Sequence, residues 1–97
     1  MRIIKVKGKS LFPEYRDGDF VIISKIPIYL HWLRAGDTIV FQHDIYGRMI
    51  KVVKSVQKDG AVKVIGYHPD SLDSRQLGVI PGECITGKVL IHIKKPV

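Results

Sequence analysis

Short apolar runs rich in Val and Ile, each bounded by Gly, Asp or Pro, set the tightest limit on what this chain can become. Successive side chains of a strand point to opposite faces, so β-branched residues in short, turn-punctuated runs favour sheet over helix. "RIIKVK" reads as a first strand, and "DFVIISK" as a second, entered through the turn at Asp17 to Asp19. "DTIVFQH" reads as a third, entered through Gly36-Asp37. "GRMIKVVKSV" reads as a fourth, and the short "DIYG" link implies a hairpin between the third and fourth. Asp59-Gly60 is a strong hairpin turn leading into "AVKVIGY", and "GKVLIHI" closes the series. The expected fold is all-β, a compact sheet or partly closed barrel. Repeats and low-complexity segments are absent.

A chain of 97 residues is expected to form one domain over residues 1–97. A chain of this size buries roughly 60 to 70% of its unfolded surface, enough for one modest core. Its 45% hydrophobic and 26% charged content belongs to a globular protein rather than a disordered tail. With Cys84 as the one cysteine, no internal disulfide is possible. That agrees with a reducing compartment, and Cys84 reads as a small core residue. The net charge of +7 suits acidic partners, although the basic residues are spread along the chain. "MRIIKVKGK" is broken by charge too often for a signal peptide or a membrane span. The expectation is a cytoplasmic protein that is soluble or, at most, peripheral to a membrane, with its oligomeric state open.

Two segments escape the strand pattern. "PIYLHWLRAG" is apolar without clean alternation. Tyr29, Leu30, Trp32 and Leu33 either cap an open end of the barrel or present an apolar surface to a peptide or membrane. "YHPDSLDSRQLGVIPGE" is a long polar loop in a small domain, and such loops are often functional.

His31, His43, His68 and His92 show no paired spacing and have no second cysteine, so no metal site is expected. No glycine-rich phosphate loop is present, and no cofactor is implied. Ser10, inside "GKSLFP", is either a turn hydroxyl or a nucleophile awaiting a base. No histidine lies beside it, but a lysine can serve as that base if it is neutral. Burial among apolar groups disfavours the ammonium, so the partner must sit inside a hydrophobic strand. "MIKVVKSV" holds two candidates on opposite faces, Lys51 with Met49 and Val53, and Lys54 with Val52 and Val56. Periodicity does not choose between them.

Taken in order, these motifs resemble a known family. "GKSLFP" looks like the G-x-S-[ML]-x-P signature of the serine–lysine peptidases typified by signal peptidase I and, more distantly, by LexA-type repressors. "RDGDFVII" and "LRAGDTIVF" are similar to the family's two G-D strand entries, and "IKVVKSV" to its I-K-R-V element. "GYHPDSLDSRQLGVIP" is similar to its serine- and arginine-containing loop box, and "ITGKVLIHI" to its closing G-K-V strand. The compactness and the "HPDSLDSR" loop look most like the small soluble branch that matures nickel-type superoxide dismutases.

The resemblance implies a catalytic core of the signal peptidase and LexA type. Ser10 would be the nucleophile and Lys51 the general base, with Ser71 orienting the lysine. Asp73 and Arg75 would form a structural ion pair behind the site, and the amide of Ser10 would donate to the oxyanion. Leu11, Tyr29 and Trp32 are the expected substrate contacts. The implied activity removes a short N-terminal leader or propeptide from a protein, the nickel superoxide dismutase precursor being one candidate. Gly8 stands where some relatives carry a second oxyanion hydroxyl, Leu11 replaces the commoner Met, and Val52 replaces Arg. Tyr67-His68 replaces Asp-Asn, in a loop box one residue shorter. The competing reading is a non-catalytic basic β-barrel that binds nucleic acid, peptide or an acidic protein. Against the nucleic-acid form, the chain lacks interleaved basic and aromatic residues of the stacking kind.

Overall fold

The computed structural model describes residues 2–7, 15–24, 33–66 and 74–94. Within them are β1 (Arg2–Lys5), β2 (Phe20–Ile23), β3 (Thr38–His43), β4 (Gly47–Val56), β5 (Val62–Ile65), a one-turn helix α1 (Ser74–Leu77) and β6 (Ile85–Ile93). A turn of 3-10 helix at Gly82–Cys84 leads into β6. The strands form one six-stranded sheet in the order β1-β2-β6-β3-β4-β5, antiparallel at every pairing. The all-β expectation therefore holds. The sheet is open, with β1 and β5 as its outer strands.

The turn signals act where the sequence places them. Gly18, Gly36 and Gly60 carry φ of 95, 97 and 89°, in the left-handed region that glycine enters without strain. The Arg16 amide donates to Asp19 Oδ2 at 3.0 Å, and the Arg34 amide donates to Asp37 Oδ2 at 2.9 Å. The Asp19 and Asp37 amides donate back to the carbonyls of Arg16 and Arg34 at 3.0 and 3.1 Å. A short R-x-G-D unit thus recurs ahead of β2 and β3, extending by one arginine each the two G-D strand entries noted in the sequence. The long polar loop holds two elements that the strand pattern did not announce, α1 and the 3-10 turn.

β6 joins two halves of the sheet. Ile85, Gly87 and Lys88 pair with β3, whereas Val89, Ile91, His92 and Ile93 pair with β2. Register shifts at Thr86 and Leu90 re-aim the strand between these partners, as bulges do. At the crossing, a Cβ on Gly87 would lie 2.5 Å from the Ser24 carbonyl oxygen and 2.8 Å from Ile23 Cδ1. Only glycine permits that approach.

Both faces of the central strands are covered, so "IVF" in β3 and "VV" in β4 are buried without alternation. One face gathers Ile39, Phe41, Val53, Val62, Val64 and Ile85 under Leu33, Leu77 and Ile80. The other packs Val40 and Val52 against Ile4, Val6, Tyr15, Val21 and Ile23, so the β1–β2 arm curls over β3 and β4. Burying one such side chain stabilises the fold by roughly 1.5–3 kcal/mol. Leu33 belongs to the first cluster, which removes it from the apolar surface expected of residues 28–33. Tyr29 and Trp32 lie outside the described residues. Cys84 packs against the first cluster as a partly buried side chain. No helix among the described residues is long and apolar enough to cross a membrane.

Candidate functional site

Among the described residues, Lys51 and Asp19 are the polar ones buried to the level of the core, each 1% exposed. Lys51 lies in β4 opposite Ile39 of β3. Alternation places it on the face of Met49 and Val53, where the first apolar cluster forms. Lys54 is exposed. The β4–β5 register explains the difference. Val53 pairs with Val64 and Ser55 with Lys63, so Lys54 is the extra residue of a bulge and faces solvent. Of the two lysines left open by periodicity, only Lys51 has an apolar environment.

The other expected site residues divide sharply. Ser10, Leu11, Tyr29, Trp32, Ser71 and Asp73 lie outside the described residues. Arg75 lies in α1 and is exposed.

A cleft of about 510 Å3 lies between two elements. One wall is β1 and its continuation, Ile4, Lys5, Val6 and Lys7, the residues that precede the Ser10 segment. The other is the β3–β4 hairpin, with Gln42, Tyr46, Arg48, Met49 and Ile50. Among the described residues, Val21 and Val40 complete the lining, which reaches Ile50, the residue before Lys51, but not Lys51 itself. The β1 wall is a sheet edge. The Val6 amide donates to the Asp19 carbonyl at 2.7 Å, and the Val6 carbonyl accepts from the Gly18 amide at 2.9 Å. Val6 thus spends its backbone groups on the β2 side. By ladder alternation, the backbone groups of Lys5 and Lys7 point to the open edge.

Asp19 belongs to a second cluster that the sequence reading missed. His92 Nε2 donates to Asp19 Oδ2 at 2.7 Å, with the two side chains 14% and 2% exposed. The Tyr15 ring stacks on the His92 ring with centroids 4.1 Å apart. These contacts join β6 to the segment that follows Ser10. No short-range motif signals a pair 73 residues apart. In the equivalent place beside the second R-x-G-D turn, Lys88 Nζ meets Asp37 Oδ2 at 3.3 Å. Among the described residues, no group of His, Cys, Asp or Glu is arranged to hold a metal ion.

Comparison with protein-family models and with curated proteins finds no match to this chain.

Proposed function

We propose that this chain is a serine endopeptidase using a Ser10–Lys51 dyad, which removes a short N-terminal leader or propeptide from a protein. The observation that carries the reading is the burial of Lys51 on a strand face between Met49 and Val53. Taking an ammonium out of water costs several kcal/mol, so a strand face this apolar is a demanding place for a charged lysine. Burial disfavours the charged form, and a neutral amine is what a general base requires.

In the proposed reaction, Lys51 Nζ takes the Ser10 Oγ proton as that oxygen bonds to the scissile carbonyl carbon. The carbon–nitrogen bond then breaks, and the proton passes to the departing amine. Water, deprotonated by Lys51 Nζ, then attacks the resulting ester carbonyl, and the proton passes to Ser10 Oγ as the acyl–oxygen bond breaks. The open edge of β1 suits an extended peptide, which would find unused backbone groups and an apolar floor there, on the sheet face opposite the one that carries Lys51. The resemblance supplies Ser10 and Ser71, and maturation of a nickel superoxide dismutase is its narrowest form.

The test compares wild type with Ser10→Ala and Lys51→Met on a proteome-derived peptide library, with mass spectrometry of the new N-termini. Both substitutions should abolish cleavage. Lys51→Met puts an apolar side chain of similar length in the strand, so circular dichroism should show the sheet retained. Cleavage surviving in Lys51→Met, or lost together with folding, would overturn the assignment.

A further inference from the structure

We infer that the cleft between β1 and the β3–β4 hairpin selects extended peptides carrying carboxylates at alternate positions. This rests on reading that cleft as a peptide site, and it goes further by naming the class of peptide. Among the described residues, three cationic ones line the cleft, Lys5 and Lys7 on one wall and Arg48 on the other, and no acidic one does. Asp44, in the same hairpin, lines a different cleft with Glu83. Neither Lys5, Lys7 nor Arg48 forms a salt bridge within the described residues, so their charge is available to a ligand.

Spacing sharpens the inference. Lys5 and Lys7 are two residues apart on an extended segment, about 6.5 Å along it. A peptide strand laid on the open β1 edge repeats at that same interval. Glu or Asp at two alternate positions would therefore meet both lysines. Arg48, from the opposite wall, offers a planar fork that suits a carboxylate. The apolar floor of Val6, Val40 and Ile50 would hold the intervening side chains. The three cations are exposed, so each pairing is weak and screened by salt, and two together amount to a preference on the order of five- to tenfold.

The test uses three labelled peptides with one Ala/Val framework, carrying Glu, Gln or Lys at two alternate positions. Binding is read by fluorescence anisotropy at low and high salt, and cleavage by mass spectrometry. Wild type should bind the Glu peptide about five- to tenfold more tightly than the Gln peptide, less so at high salt. Lys7→Glu with Arg48→Glu should abolish or invert that order. Lys54→Glu with Lys63→Glu changes the net charge equally on β4 and β5 and should keep it. Equal binding of the Glu and Gln peptides overturns the inference, and so does loss of the preference in both double variants. Selective binding with no cleavage of any peptide sinks the peptidase reading and leaves the cleft's specificity standing.

Discussion

The two R-x-G-D turns share their local chemistry and differ in what surrounds them. Each has a glycine at positive φ, an aspartate that caps the arginine amide, and a strand directly after it. Each aspartate also reaches a basic residue on β6, on the half that pairs with its own strand. Asp19, however, is 1% exposed and pairs with His92, whose ring is stacked on Tyr15. Asp37 remains 21% exposed beside a 29% exposed Lys88. One short string therefore encodes one turn twice, while its energetic weight is set by residues far away in sequence.

Asp19→Ala should cost the most, about 3 kcal/mol, because it takes the partner from the mostly buried His92 and leaves the Arg16–Asp19 turn without its cap. Urea unfolding measures this, and a loss below that of Asp37→Ala would invert the comparison. Gly87→Ala comes next, at about 1–3 kcal/mol, because the new Cβ has backbone in its way. It strikes the crossing on which both turns depend. Amide chemical shifts should move at both turns, and a response confined to one would show that β6 does not tie them together.

Asp37→Ala should cost about 1 kcal/mol, the worth of an exposed cap. The smallest effect is the Asp37–Lys88 coupling, about 0.5 kcal/mol in a double-mutant cycle and fading with added salt. The Asp19–His92 cycle should give a larger coupling that salt barely changes. Equal salt dependence in the two cycles would remove burial as the cause of the difference.

Much of the sheet was legible because its signals are local. β4 occupies the whole of "GRMIKVVKSV", and Asp59-Gly60 turns the chain where expected, with the Ala61 amide held by Asp59 Oδ1 at 3.0 Å. What the sequence hid depends on a partner. The choice between Lys51 and Lys54 turns on a bulge created by β5, which alternation along β4 cannot reveal. α1 is too short to leave a helical period. Asp19 and His92 find each other only after β2 and β6 pair. Of the candidate site, Lys51 and the cleft beside it can be placed, while Ser10, Leu11, Tyr29, Trp32, Ser71 and Asp73 rest on the resemblance alone.

The position of β6 between β2 and β3 also sets an order of events during folding. The β3–β4–β5 meander needs only short loops to close and can form as soon as its own residues are free. The β1–β2 arm has no direct strand partner in that meander, and its link runs through a strand some 73 residues further along the chain. Closing such a long loop is slow compared with forming a hairpin. The arm should therefore dock late, after the meander has offered β6 a template. The cleft, with one wall on β1 and the other on the β3–β4 hairpin, can exist only once that last step is complete. A ribosome-bound chain without β6 would hold a folded meander and no cleft, which would delay any activity housed there until the sheet is whole.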